Sequence, residues 1–286
     1  MVNNYLITGA NSFIGKYLCD KLDKENEKYK GLDLKSKNSK IINLDIRDKN
    51  IDKFIEKDQI VIHLAAVSND KRFDDNPKIA KEINEDASIN LINICEKKKI
   101  KKFIFASSEW VYGDNNNENI LQENYDLDIK NLVSKYAISK LKIENYILEN
   151  NFTFNTNMLR FGITYGKSQE KLGLLEKLND HMLSNNFIEL NSSFNARKYI
   201  NVVDLVEAIY KISKTNLHGV YNVCGDELIS LKEFVKVFEE VHKKKIKIIE
   251  KNPNDFIIRN LSNDKIKLHL NWSPKINIYE GIKSLQ

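Results

Sequence analysis

The stretch Asn4–Gly15, NYLITGANSFIG, decides the fold. Its first five residues, Asn4–Thr8, form an apolar run closed by a glycine and read as a strand, while Phe13–Leu22 (FIGKYLCDKL) has helical periodicity. Strand, glycine-bearing turn and helix make the context of a dinucleotide-binding turn. Gly9 lets the backbone turn sharply, and Gly15 lets the helix pack close to the sheet. The helix N-terminus then offers free N–H groups and a positive dipole end to a pyrophosphate. The spacing is G-x-x-x-x-x-G, with Ser12 where a middle glycine stands in G-x-x-G-x-x-G. Serine keeps a hydrogen-bond donor there but narrows the approach of the phosphate. The candidate cofactor contacts of the turn are Gly9, Asn11, Ser12, Phe13, Ile14 and Gly15. A glycine pair alone also fits a plain strand-to-helix turn. Asp33 argues for the nucleotide: it ends the second strand about 20 residues on, where a carboxylate holds the adenosine ribose hydroxyls. This favours NAD, while Lys35 and Lys37 just beyond leave NADP possible through a 2′-phosphate.

Outward from the turn, short apolar runs alternate with helical patterns through the first 160 residues. Tyr29–Leu34 and Ile41–Leu44 are strand-like, Gln59–Ala65 (QIVIHLA) reads as a buried strand, and Pro77–Lys97 as a long amphipathic helix. A strand at Lys102–Ala106, a helix at Val133–Glu149 and a strand at Thr156–Arg160 follow. Continuous apolar strands between helices indicate a parallel sheet covered on both faces. The fold class is therefore α/β: a Rossmann-type doubly wound parallel sheet with a smaller C-terminal α/β substrate-binding lobe. Helices are expected at Gly173–Ser184, Val203–Ser213 and Leu231–His242, with short strands at Val220–Val223 and Lys247–Ile249. The expected division is 1–165 for the dinucleotide-binding domain and 166–286 for the substrate lobe, with parts of about 195–225 returning to the main sheet.

The chain has 286 residues, 42% hydrophobic and 30% charged, which suits a globular protein with a full core. Net charge is +5, from 45 basic and 40 acidic residues. The tight basic runs, Lys97–Lys99 with Lys101–Lys102 and Lys243–Lys245, lack interleaved aromatics. They read as solvated helix ends, with no nucleic-acid or membrane partner expected. Cys19, Cys95 and Cys224 are far apart, fit no metal spacing and suggest no disulfide, so no metal and a cytoplasmic setting are expected. The first strand leaves no room for a signal peptide, and no apolar run approaches the roughly 18 residues of a membrane span.

Tyr136 and Lys140 stand four apart in SKYAISKLKIENYI and share one helix face. A lysine ammonium beside a phenol favours the phenolate, so the expectation is a tyrosine pKa below about 10. Such a tyrosine exchanges a proton with a hydroxyl or carbonyl near neutral pH. Ser108, at the carboxyl end of a strand, opens on the crevice where such sheets bind ligands. His63 reads as a buried, satisfied histidine and Trp272 as core packing.

These residues, with LDIRD (Leu44–Asp48), VIHLAA (Val61–Ala66), ASSEWVYG (Ala106–Gly113), LRFGITYG (Leu159–Gly166), RKYINVVD (Arg197–Asp204) and LNWSPK (Leu270–Lys275), resemble an extended short-chain dehydrogenase/reductase. The likeness is to the NAD-dependent nucleotide-sugar epimerase/dehydratase type and covers nearly the whole chain. The resemblance implies that Asp45 and Ile46 flank the adenine, and that Leu64, Ala65 and Ala66 line the cofactor. It implies Ser108 as the hydrogen-bonding partner of the reacting sugar oxygen, Tyr136 as acid/base, and Lys140 as the grip on the nicotinamide ribose. Arg197 would clamp the substrate diphosphate, with Arg259 doing likewise, and Glu109 and Trp110 join the substrate-binding residues. A homodimer is implied too, through a four-helix bundle of Pro77–Lys97 and Val133–Glu149.

In similar dehydratases a glutamate precedes the V-Y-G, often with an aspartate before it. Here Trp110 takes the glutamate position and Glu109 the acid position. Trp110 cannot act as a base, which disfavours a 4,6-dehydratase. A 4-keto-sugar reductase (or 4-dehydrogenase) is the first expectation and a 4-epimerase with tightly bound NAD the alternative; both need only Ser, Tyr, Lys and the nicotinamide. A non-catalytic dinucleotide sensor of the same fold is disfavoured because Tyr136 and Lys140 are both present.

Overall fold

The structure is a computed structural model that describes residues 3–68, 70–167 and 174–285. The chain divides into two compact units: the first is Met1–Gly113, Asp126–Arg160 and Val206–Tyr221, the second Asp114–Tyr125, Phe161–Leu205 and Asn222–Gln286. The segment Asp114–Tyr125 thus belongs with later sequence, although it lies within the first 165 residues.

The first unit is built on a seven-stranded sheet. Its spatial order is Gly219–Val223, Asn155–Phe161, Lys102–Ser108, Ile60–His63, Asn4–Thr8, Lys28–Asp33, Ile41–Asn43. Asn4–Thr8 pairs in parallel with Lys28–Asp33 on one side and Ile60–His63 on the other. The chain winds outward from the first strand in one direction, returns, and winds outward in the other. The switch point falls beyond the carboxyl ends of Asn4–Thr8 and Ile60–His63, where Gly9 and Leu64–Ala66 emerge; ligands bind open α/β sheets at such points. The helices Ala87–Lys98 and Lys135–Glu149 bury Leu91, Ile92, Cys95, Ile143 and Ile147 against Phe103, Phe105 and Met158 of the sheet. The strand Lys102–Ser108 is buried at every residue, so it lacks the alternation of a half-exposed strand.

Two expected elements differ. The helix expected at Pro77–Lys97 is three pieces, Pro77–Lys81, a π-helical turn at Glu82–Asp86, and Ala87–Lys98. Such a turn adds a residue without breaking the helix, so apolar periodicity reads straight through it. The helix expected from Val133 begins at Lys135, because Ser134 caps it by accepting the Ala137 N–H; Val133 is left 85% exposed.

The second unit holds a four-stranded sheet in the order Ile229–Ser230, Ala196–Arg197, Ile258–Leu261, Ile120–Leu121. Phe234 and Phe238 of the helix Leu231–His242 pack with Tyr165, Leu175 and Ile282. That helix starts in a capping box between Ser230 and Glu233. The helix Leu174–Ser184 matches the expected one from its first described residue, Gly173 lying outside the described residues. Trp272 is buried, as expected of core packing.

Candidate active site

The glycine turn has the geometry its residues require. Gly9 has φ +73°, and a Cβ there would stand 2.7 Å from Ala65 N. A Cβ on Gly15 would stand 2.2 Å from Gly9 O, so helix and turn are as close as backbone allows. Ser12 caps the helix Phe13–Lys24 by accepting the Gly15 N–H at 3.1 Å. Its oxygen accepts within the turn, and a hydroxyl that accepts still has its O–H to donate. Phe13 meets Tyr17 edge-on, and Ile14 is half-buried.

Asp33 ends its strand beside this turn. One carboxylate oxygen accepts the Asn11 N–H at 2.8 Å and the other the Leu34 N–H at 2.7 Å. Each oxygen keeps lone-pair capacity for a ribose hydroxyl. Asn11 also donates its side-chain amide to Lys35 O at 2.8 Å. Asp45 is engaged by Arg47, whose Nη2 reaches it at 2.7 Å, and hydrogen bonds from that guanidinium hold the carboxyl below its ordinary range. Ile46 is buried beside it. Leu64 and Ala65 follow the strand Ile60–His63; their N–H groups donate to Thr8 O at 3.0 Å and Thr8 Oγ1 at 3.3 Å. Ala66 is half-buried next to them. His63 contacts Thr8 Oγ1 at 2.6 Å and Ser88 Oγ at 2.8 Å, and burial pushes its pKa down to about 3. It is the buried, satisfied histidine its context suggested.

Ser108, Trp110, Tyr136 and Lys140 converge at the carboxyl end of the strand Lys102–Ser108. Ser108 lies near enough to Tyr136 to favour its phenolate. Ser108 Oγ also accepts the Trp110 N–H at 3.3 Å, which fixes the short turn Glu109–Tyr112. Trp110 lies edge-on to Tyr136, with ring centres 6.2 Å apart. Glu109 is fully buried one residue earlier. Lys140 Nζ donates to Ala106 O at 2.7 Å, 4.7 Å from the Phe105 ring centre and 5.7 Å from that of Tyr136.

The electrostatics reverse the sequence expectation. Burial pushes the Tyr136 phenol up to about 12; the nearby Ser108 hydroxyl opposes this and the Asp70 charge adds to it. Burial pulls Lys140 down to about 7, against the attraction of Glu144. Four-residue spacing correctly places the pair on one face. It carries no information on burial, which disfavours the charged form of both groups.

Arg197 and Arg259 lie in the second unit. They are register partners on the parallel strands Ala196–Arg197 and Ile258–Leu261, so their side chains leave the sheet on one face. Arg197 donates to Ala196 O at 2.7 Å and Ile257 O at 2.5 Å. Arg259 is buried and pairs with Asp114 at 2.6 Å.

Sequence reading passed over three supporting residues. Asp70 accepts Ser134 Oγ–H and Tyr136 N–H, both at 2.9 Å, and so anchors the start of the tyrosine's helix. Asn84, in the π-helical turn, exchanges hydrogen bonds with Val67 and donates to Ser139 Oγ at 3.1 Å. Glu144 binds Arg160 inside the sheet–helix layer. The available signal was Glu144 recurring at the period of Tyr136 and Lys140; the other two pairings are too distant in sequence to leave one. Among the described residues no cluster suits a metal ion, and no helix is long and apolar enough to cross a membrane.

A family model described as the NAD dependent epimerase/dehydratase family matches residues 5–224. A putative UDP-glucose 4-epimerase of Methanocaldococcus jannaschii is 30% identical over 297 residues, covering 97% of this chain and 95% of that protein. The dTDP-D-glucose 4,6-dehydratase of Dictyostelium discoideum is 30% identical over 260 residues, covering 80% of this chain and 60% of that one. Among solved structures, the Thermus thermophilus UDP-glucose 4-epimerase in complex with NAD superposes with TM-score 0.85 at 24% identity, covering 98% of this chain and 96% of that one. The Bacillus cereus UDP-glucuronic acid 4-epimerase, with UDP-glucuronic acid and NAD, superposes with TM-score 0.85 at 23% identity, covering 98% and 97%.

Proposed function

This chain belongs to the NAD-dependent epimerase/dehydratase family, and we propose that it interconverts the C4 epimers of a nucleoside-diphosphate sugar with NAD held in the first unit. The observation that carries the reading is buried Tyr136 and Lys140 on one helix face at the end of the strand that presents Ser108, with the Trp110 ring, not a carboxylate, against the tyrosine. Elimination of water needs a base at that position, and indole has none. Asp33, fixed by two backbone N–H groups, favours NAD over NADP, since a carboxylate repels a 2′-phosphate. The likeness to a putative UDP-glucose 4-epimerase over almost the whole chain supports the epimerase over the reductase.

The turn fits the cofactor: Gly9 and Gly15 tolerate no Cβ, as a pyrophosphate-binding turn requires. Gly9, Asn11, Ser12, Phe13, Ile14 and Gly15 would hold the pyrophosphate and Asp33 the adenosine ribose. Asp45, Ile46 and Leu64–Ala66 would flank the adenine and the rest of the dinucleotide. When bound, the nicotinamide supplies a hydride acceptor and donor at C4. Tyr136 takes the proton of the C4 hydroxyl and returns it to the ketone oxygen. Ser108 orients that oxygen, and Lys140, with N–H donors to spare, grips the nicotinamide ribose. Arg197 and Arg259 neutralise the sugar diphosphate, and Glu109 and Trp110 bound the sugar. The epimer would form when the ketone turns its other face to the nicotinamide before the hydride returns to C4, with Tyr136 supplying the proton to the oxygen. A homodimer through the helices Ala87–Lys98 and Lys135–Glu149 belongs to the same proposal, and light scattering of the purified protein tests it.

The test is incubation with UDP-glucose, UDP-glucuronate and UDP-N-acetylglucosamine, with chromatography of products and absorbance at the NADH band. The expected result is a C4 epimer without net NADH change. Stoichiometric consumption of NAD(P)H by a nucleotide 4-keto sugar, with no epimer formed, would make the chain a 4-keto-sugar reductase using the same three residues.

A further inference from the structure

Tyr136, Lys140 and Glu144 recur every fourth residue on the helix Lys135–Glu149, so they form one stripe along it. Glu144 has 0% of its surface exposed. A carboxylate survives such burial only with a countercharge and satisfied oxygens, and Glu144 has both. Arg160 donates to it from Nε at 3.1 and 3.2 Å and from Nη2 at 2.7 Å. Ser107 Oγ donates to Glu144 Oε1. Arg160 Nη1 in turn donates to Tyr112 Oη at 2.9 Å, and its guanidinium lies 4.9 Å from that ring's centre. Ser107 precedes Ser108 and Tyr112 follows Val111. One buried ion pair therefore ties down both ends of the turn that presents Ser108 and Trp110.

We propose that Glu144 is a positioning residue for this centre: its pair with Arg160 fixes the Ser108–Trp110 turn, and its carboxylate is the anion that supports the Lys140 ammonium. The proposal rests on Ser108, Tyr136 and Lys140 being the reaction centre. The charged and titratable groups that face this part of the helix are Tyr136 and Glu144 on the helix itself, His63 on the strand Ile60–His63, Arg160 on Asn155–Phe161, Glu109 in the turn after Ser108, and Asp70, which accepts the Tyr136 N–H. His63 is held neutral by burial, with Lys140 adding to the effect. Arg160 is already bound to Glu144. Glu144, one turn further along the same helix face, is the charge that opposes the desolvation of Lys140.

Glu144→Gln keeps the shape and removes the charge. In the full-length protein, the Lys140 midpoint is read by NMR of ε-13C-labelled lysine, assigned with Lys140→Arg. The expected result is a midpoint lower by about one unit and, with UDP-glucose as substrate, a kcat at neutral pH reduced about tenfold, with the alkaline limb of the rate profile moved down equally. A lower melting temperature with the Lys140 midpoint and rate profile unchanged would show a merely structural role and overturn the proposal. If Glu144→Gln does not fold, Glu144→Gln with Arg160→Gln removes both buried charges together, and the same midpoint shift is expected. The two readings fail separately. Undiminished turnover in Tyr136→Phe defeats the assignment of the centre, while the Lys140 midpoint needs no turnover and judges Glu144 directly.

Discussion

Two buried lysines lie toward opposite ends of one strand and are satisfied to different degrees. Lys102 begins the strand Lys102–Ser108, and its ammonium donates to the carbonyls of Ile212, Thr215 and Leu217 at 2.8, 2.7 and 3.3 Å. All three of its donors are used, at and just beyond the C-terminal end of the helix Val202–Ser213. Lys140 lies near the other end and donates to a single carbonyl among the described residues, that of Ala106. Burial depresses both, Lys102 to about 8 and Lys140 to about 7. The difference teaches how to tell a pin from a tool. A fully satisfied buried ammonium holds structure, whereas one with donors to spare is held ready for something the chain does not itself contain.

The largest expected effect tests the tool. Lys140→Met and Tyr136→Phe should each lower turnover of the UDP-sugar by about 10³-fold, on the order of 4 kcal/mol of transition-state stabilisation. Steady-state kinetics check this, and Lys140→Met should melt no lower than the parent, because it removes a poorly satisfied buried charge. A melting point that collapses with the activity would break the comparison.

Lys102→Met should do the reverse. It takes a donor from three carbonyls, of which Ile212 O keeps Thr215 and Leu217 O keeps Asn157, and should cost about 1–3 kcal/mol, seen as a melting temperature lower by a few degrees. The kcat of the surviving folded protein should stay within about twofold of the parent. Calorimetry and kinetics on one preparation separate the two quantities.

Asp33→Asn removes the charge and leaves one accepting oxygen, so only one of the N–H groups of Asn11 and Leu34 keeps its partner. NAD+ affinity, measured by calorimetric titration, should fall about tenfold, and the preference for NAD+ over NADP+ should shrink by a similar factor.

The smallest effect is in pH dependence. Both lysines have folded pKa values below the unfolded value near 10.5, so each contribution to stability is present above that value and lost as pH falls. For Lys102 the loss is complete by about pH 8, and for Lys140 by about pH 7. The melting-temperature advantage of Lys140→Met over the parent should therefore be greatest at pH 7 and below and shrink toward pH 10. Melting scans across that range check the sign.

The regular part of the first unit was the most legible. The turn at Gly9, the buried strands and the tyrosine–lysine helix all announce themselves through local patterns: glycine at a positive φ, continuous apolar runs, and four-residue spacing. The second unit was read less completely. Its sheet is made largely of two-residue strands such as Ala196–Arg197 and Ile229–Ser230, too short to carry a period. The facing of Arg197 and Arg259, 62 residues apart by number, depends on strand register, which no local pattern encodes. The π-helical turn was hidden for a related reason: a single extra residue leaves apolar periodicity nearly intact.

By itself the sequence determined the α/β class, the dinucleotide turn with its acidic partner at Asp33, and which residues carry the proposed chemistry, because these follow from neighbours a few residues apart. Only the tertiary structure decided how those residues are charged. Burial between sheet and helix raises Tyr136, depresses Lys140 and leaves Glu144 to oppose that depression. It also decided which of two buried lysines is satisfied. Desolvation and hydrogen-bond satisfaction depend on atoms contributed from across the chain, and spacing along the sequence does not report them.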